Sequence, residues 1–336
     1  MNKIVDLHTH LYPENHEKYL SGFDNLLDYH YLAGEFYKSK FMLKDDILSF
    51  REKSIEERNE EIWDSLFLNK LNEQLSFSCL GVNKVLKVLT GRYCGGYSYS
   101  RIKNIYPNIS FQSILDMTNI SNVIATYDYL EEYQEDDLVL PSIRFNSFYD
   151  ILNMKSNEYR EDAVYYSFSC DSDELDSLTI HPTEFNSWNL FDNMKQPFWI
   201  MLGVKRGYVK YLGDGGDGIG KCEIEKLIKF ANQYPNLRIP FSILDPSKIK
   251  EAIIASKIIP NLYFMGHWWF NSMPTQMKKI NKFADELLGA ENWLSYYSDA
   301  RVAEQLIYKW ANYKNETKKD FYSSNGRIWE EMFGIR

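Results

Sequence analysis

Short apolar runs recur along the chain, most of them separated by stretches with helical spacing. The runs lie at residues 3–8, 122–127, 138–144, 163–169, 198–204, 237–244, 261–267 and 293–298, and they predict eight strands. Several are apolar at successive positions, as in "FWIMLGV" and "NLYFMG". An unbroken run of this kind suits a strand buried on both faces, as in parallel sheets covered by helices. Between the runs, "CEIEKLIKFANQY" and "RVAEQLIYKWANY" repeat apolar residues every three or four positions, which predicts helices with one buried stripe. Strands alternating with helices in this number predict an α/β fold, a (β/α)8 TIM barrel. Pro141 sits awkwardly in the third strand, because proline supplies no donor to a ladder.

The spacing is uneven in one place. Residues 11–118 separate the first strand from the second, and their pattern is helical. Ser54 and Glu57 fit a capping box, with Ile62, Trp63, Leu66 and Phe67 marking the buried face that follows. Active sites of this fold sit at the C-terminal mouth of the barrel. The stretch is therefore expected to be a helical insertion covering that mouth. No repeat, low-complexity segment or linker interrupts the chain, so residues 1–336 are expected to form a single domain.

Composition narrows the function. The chain is 44% hydrophobic and 25% charged, which describes a globular protein rather than a disordered one. A net charge of -9 argues against nucleic acid or an anionic membrane as the partner. It leaves room for a small anionic ligand, which needs only a few well-placed arginines. The 16% aromatic content supplies core residues and pocket walls alike. Cys79, Cys94, Cys170 and Cys222 form no CxxC pair, so free thiols are expected and a zinc ribbon is excluded. No leader pattern precedes the first strand and no apolar stretch has the length of a membrane span, so the expected location is the cytoplasm. A homo-oligomer is compatible with all of this.

The chemistry begins with "VDLHTH" at residues 5–10, which holds two of the six histidines. In a strand, His8 and His10 point the same way and make half a metal site. They are equally readable as polar residues where a strand ends. "YYSDAR" adds Asp299 just beyond the eighth run. Two imidazoles and a carboxylate suit zinc, manganese or iron, with positions open for substrate. Asp299 can also be read as the N-cap of a helix opening at Arg301. "GGDGIGKC" places Gly215, Gly220 and Lys221 in the frame of a phosphate loop. Cys222 stands where a hydroxyl should meet magnesium, and Asp214 and Asp217 would repel phosphate, so a nucleotide site is not expected.

The set His8, His10 and Asp299 resembles the amidohydrolase superfamily, in which a first-strand HxH and an eighth-strand Asp share a metal. Within it, "NLLDYHYLAGEFY", "LPSIRF", "MLGVKRGYVKYLGDGGDGIGK", "GHWWF" and "SDARVAEQLIYKW" are similar, in order, to segments of the uronate isomerases. The resemblance implies an amidohydrolase-like barrel in which His8, His10 and Asp299 hold one divalent ion. It places His30 and Tyr31 at the reacting end of a sugar acid. Arg144, Arg206 and Arg301 would bind the sugar's carboxylate and hydroxyls, with Lys205, Trp268 and Trp269 also at the ligand. One position departs from the pattern: Met201 stands where the family has a strand-five histidine. A two-metal hydrolytic centre is therefore not expected. A single ion, zinc with manganese or iron as alternatives, would be held weakly.

The function implied is isomerisation of a hexuronate, glucuronate or galacturonate, to its ketouronate through a cis-enediol. Asp299 is the candidate base, Tyr31 or His30 would handle hydroxyl protons, and Arg301 would face developing negative charge. A mononuclear lactonase acting on a sugar acid, and a binding protein without catalysis, are the alternatives.

Overall fold

The computed structural model describes residues 3–93, 95–133, 135–180, 190–317 and 331–334. Its sheet is built from β1 (Ile4–Thr9), β2 (Ile120–Asp128), β3 (Val139–Phe145), β4 (Tyr166–Cys170) and β5 (Phe198–Leu202). After β5 the chain makes a small antiparallel hairpin, β6 (Val204–Lys205) with β7 (Gly218–Ile219), and then returns as β8 (Ile239–Ile243) and β9 (Leu262–Phe264). The sheet order is β1-β2-β3-β4-β5-β8-β9, and all its pairs are parallel. Every residue of β1, β4, β5 and β8 is buried, as strands covered on both faces require. Pro141 is accommodated inside β3, where the carbonyl that proline retains accepts the N–H of Val164 at 2.8 Å.

The eighth position departs from expectation. Residues 293–298 form no regular strand; Leu294 and Ala300 make isolated parallel bridges to Met265 and Thr9. The segment still joins both edges of the sheet. Leu294 accepts the N–H of Gly266 at 2.8 Å and donates to Phe264 at 3.1 Å. At the other edge, Asp299 donates to the His8 carbonyl at 2.9 Å and His10 donates to Ala300 at 2.7 Å. The barrel is closed by a seam rather than a strand. Its irregularity has two causes. Asp299 takes a positive φ of 51°, which a strand does not permit. Ser298 gives its N–H to the Asp6 side chain at 3.0 Å.

β1 is irregular opposite the same seam. Its register moves from Asp6↔Val123 to Thr9↔Ala125, so three steps on β1 face two on β2. This is a bulge, which re-aims side chains. Val5 and Leu7 belong to the buried cluster inside the barrel, with Tyr165, Trp199, Met201 and Tyr297. Beyond the bulge the His8 ring joins that interior too, 5.2 Å from the Trp199 ring. A second cluster lies outside β3, β4, β5, β8 and β9, and a third packs Ile4, Ile120 and Val123 against the helical stretch between β1 and β2.

That stretch holds the helices Phe23–Leu27, His30–Ser39, Lys44–Arg51, Ile55–Leu66, Phe77–Thr90, Tyr99–Ile105 and Phe111–Thr118. The capping box forms as expected, with the Ser54 hydroxyl accepting from Glu57 N–H and the Glu57 carboxylate accepting from Ser54 N–H. Ile62, Trp63 and Phe67 are buried and Leu66 is half-buried. Cys79, Cys170 and Cys222 are buried free thiols, and Cys94 lies outside the described residues. No helix among the described residues is long and apolar enough to cross a membrane.

Asp6 ties the seam to the last long helix, since it also accepts the indole N–H of Trp310 at 2.7 Å. Asp6→Ala strands two buried donors at a cost of about 1–3 kcal/mol each. We therefore expect a loss of about 2–4 kcal/mol in urea unfolding, some of the cost being offset because a buried carboxylate is no longer desolvated. An unchanged unfolding midpoint would show that closure does not depend on this carboxylate.

Candidate functional site

The bulge in β1 and the seam bring three side chains together at the C-terminal end of β1. The Asp299 carboxylate oxygen lies 3.2 Å from His10 Nε2 and 3.7 Å from His8 Nε2. One ligand atom from each of the three residues lies within 4.8 Å of the others, and among the described residues no other His/Cys/Asp/Glu group does this. Asp299 is not a helix N-cap, because the next helix opens at Gln305 (Gln305–Thr317).

Each imidazole is held by a hydroxyl that is itself committed. The Tyr165 hydroxyl donates to the Leu7 carbonyl at 3.0 Å and lies 2.8 Å from His8 Nδ1. It therefore accepts the Nδ1–H of His8. The Thr126 hydroxyl donates to the Thr9 carbonyl at 3.1 Å and accepts from His10 Nδ1 at 2.9 Å. Arg144 Nη1 also approaches that nitrogen, at 3.4 Å, but two donors make no hydrogen bond. Both Nε2 atoms are turned toward Asp299, that of His10 within hydrogen-bond distance of its carboxylate. Burial, reinforced by nearby cations, lowers His8 to about 4 and His10 to about 3, so both rings are neutral at pH 7. Burial opposes the charge of Asp299, but its contacts with His10, His8 and Lys309 outweigh this and hold it below the usual carboxylate range. Two oriented lone pairs and a carboxylate with outer hydroxyl support fit a divalent cation.

The cavity around this group is lined by most of the residues read from the sequence: His30, Tyr31, Arg144, Arg206, Trp268, Trp269 and Arg301, with Met201 and Asp217. His30 and Tyr31 open the helix His30–Ser39, whose start is braced by Tyr29 packing on both rings. Burial holds the Tyr31 phenol far above its ordinary value, so it remains a donor. Its ring stacks on Trp269 at 6.1 Å. Trp269 has a positive φ of 48° and His267 one of 70°, the kind of strain that gathers at functional sites. His267 itself is tied to Asn281. Arg144 is braced by Asp128 at 2.7 Å and Arg206 by Asp217 at 2.7 Å. Two donors stay unused: Arg144 Nε and Trp269 Nε1 are buried with no hydrogen-bond partner among the described residues. Larger spaces of about 720 Å³ and 350 Å³ share Asp299 and Arg301, respectively, with this cavity.

Lys205 is not brought to the site. Its half-exposed ammonium pairs with Asp171 at 3.0 Å, outside the cavity lining, because β6 turns alternate side chains away from the mouth. Asp171 also caps the helix Ser172–Ile180, accepting from Asp173 and Glu174 N–H. Met201 occupies the cavity wall, its sulfur accepting from Ser169 at 3.5 Å. Lys221 pairs with Asp173 on the surface, away from any phosphate-loop geometry. The sequence reading missed Tyr165, Thr126, Asp217 and Lys309. Lys309 is half-buried and donates to the carbonyls of Ser298 and Asp299. Desolvation lowers it to about 8, against the pull of Asp299 and Asp6.

Comparison with protein-family models finds no match, and neither does comparison with curated proteins. Solved structures do match. A uronate isomerase from Bacillus halodurans C-125 aligns over 100% of this chain and 94% of its own, with TM-score 0.80 and 23% identity. The chain has the uronate isomerase fold. A uronate isomerase from Thermotoga maritima covers 94% of this chain and 86% of its own at TM-score 0.67 and 14% identity. A glucuronate isomerase from Caulobacter crescentus covers 99% and 90% at TM-score 0.65 and 15% identity. At these identities the likeness establishes architecture, and it agrees with the fold expected from the sequence.

The lowered imidazoles have a consequence for metal-free protein. Below pH 6.5 the unfolded chain gains protons at His8 and His10 that the folded site refuses until about pH 4 and 3. Stability then rises with pH across this window. The urea midpoint of chelated protein should fall steadily from pH 7 to pH 5, with a flatter profile in a His8→Asn/His10→Asn variant. Identical slopes would show that the imidazoles titrate normally.

Proposed function

We propose that the protein is an aldose–ketose isomerase that converts a hexuronate, D-glucuronate or D-galacturonate, to the corresponding ketouronate. The observation that carries this reading is the convergence of Arg144, Arg206 and Arg301 on one cavity with the His8–His10–Asp299 group. Guanidinium forks suit a carboxylate and hydroxyls, which a polyhydroxylated anion supplies together. The solved neighbours are named as uronate and glucuronate isomerases, in keeping with this ligand.

His8, His10 and Asp299 would hold one divalent ion, zinc or alternatively manganese or iron, which would supply Lewis-acid polarisation of substrate oxygens. The protein's own groups do the rest. Arg144 and Arg206 grip the carboxylate, their forks pre-set by Asp128 and Asp217. Asp299 removes the C2 proton, the C–H electrons form the C1–C2 double bond of a cis-enediol, and the proton returns to C1. Tyr31, kept protonated, exchanges hydroxyl protons with O1 and O2, with His30 beside it. Arg301 faces the negative charge developing on oxygen. In this reading residues 1–336 form one barrel domain and residues 11–118 cover its mouth. The lactonase alternative has less support, because Met201 leaves no further ligand for an activated hydroxide.

Incubation with glucuronate or galacturonate and assay of the ketose tests the reading directly. Asp299→Asn should stay folded and lose at least about a hundredfold in turnover; near-normal turnover would remove Asp299 from the chemistry.

Arg144→Ala should chiefly raise KM if the carboxylate is bound equally in ground and transition states. Unchanged KM and kcat would leave Arg144 as a rim charge paired with Asp128.

A further inference from the structure

We infer that Lys309 is a positioning residue for Asp299: its ammonium clamps the main chain at the seam, so that the carboxylate stays aimed at His8 and His10. The inference rests on reading those three residues as a metal site.

Asp299 is a non-glycine residue at φ 51°, a conformation that persists only where its surroundings impose it. The surroundings here can be named. Lys309 Nζ donates to the Ser298 carbonyl at 2.8 Å and to the Asp299 carbonyl at 2.9 Å. No main-chain donor among the described residues reaches either carbonyl. On the opposite side, the N–H of Ser298 is taken by Asp6 at 3.0 Å. Asp6 is anchored in turn by Trp310, the neighbour of Lys309 on the helix Gln305–Thr317. Residue 298 is therefore gripped at both its N–H and its carbonyl, and residue 299 at its carbonyl, by two side chains fixed to different elements. A lysine serving stability alone has no reason to meet the one positive-φ residue that carries a candidate ligand. Lys314 gives the comparison: it lies on the same helix and donates to the Thr118 carbonyl at 3.2 Å, away from the site.

The test measures zinc affinity of full-length protein after chelation, for wild type, Lys309→Met, Lys309→Arg and Lys314→Met. Visible absorption of the cobalt-loaded forms reports ligand geometry. Lys309→Met should bind zinc about ten- to a hundredfold more weakly, the usual effect of losing an outer-shell partner, and show an altered cobalt spectrum. Lys309→Arg, which keeps donors, should recover part of the loss, and Lys314→Met should bind like wild type. Wild-type affinity in Lys309→Met overturns the clamp and leaves the metal reading standing. An equal loss in Lys314→Met also overturns it, by showing general loosening of the helix. If wild-type protein binds no zinc, the metal reading fails and the clamp with it. Should Lys309→Met not fold, Lys309→Gln, whose shorter, neutral amide cannot supply the ammonium clamp, carries the same comparison.

Discussion

The architecture depends on how the barrel is closed. A regular eighth strand would satisfy both sheet edges, but it would also send its side chains alternately inward and outward at fixed heights. The seam at residues 294–300 meets the edges with fewer bonds. Two of those bonds, Asp299 N–H to His8 and His10 N–H to Ala300, join the residues whose side chains form the site. Closure and the meeting of His8, His10 and Asp299 are one event. The local cost, a positive φ at Asp299 and a bulge in β1, is met by Asp6 and Lys309, which supply hydrogen bonds that the ladder does not.

Burial decides the electrostatics of the same place. The interior is crowded with rings: His8 lies against Tyr165, Trp199 and Tyr297. In such surroundings an imidazolium is expensive, so the rings stay neutral and keep their lone pairs. The hydroxyls of Tyr165 and Thr126 make that neutrality directional, because each returns its proton to a carbonyl of β1. A protein of net charge -9 nevertheless presents Arg144, Arg206 and Arg301 together at one opening. Local placement, not overall charge, sets what such a mouth attracts.

Much of this could be read in the residues. Unbroken apolar runs gave the buried parallel strands, because a period in hydrophobicity reports burial directly. The HxH pair and Asp299 were visible because few other residue types can do their chemistry. What escaped notice was whatever lacks a periodic or compositional mark. Tyr165 and Thr126 sit inside apolar runs and look like core or strand formers. Asp6 lies within such a run, and nothing local says that its partners are Ser298 and Trp310. Lys309 reads as a solvated charge on an amphipathic helix. Lys205 was expected at the ligand through the resemblance alone; its ammonium pairs with Asp171 instead, since neighbouring residues of an extended segment face opposite ways. The irregular eighth segment has the composition of a strand, and only its side-chain competitors for hydrogen bonds make it a seam.

His8 and Asp299 stand 299 − 8 = 291 positions apart. A growing chain emerging from the ribosome exposes β1 long before the segment that completes its other edge exists. Until that segment is made, the edge of β1 away from β2 lacks its partner. Contacts this distant in sequence form slowly, since the loop must be closed before the contact repays it. An ion held by His8, His10 and Asp299 would meet all three only once the seam is in place. The order of synthesis makes the metal, where one is bound, an inspector of finished barrels rather than a builder of them.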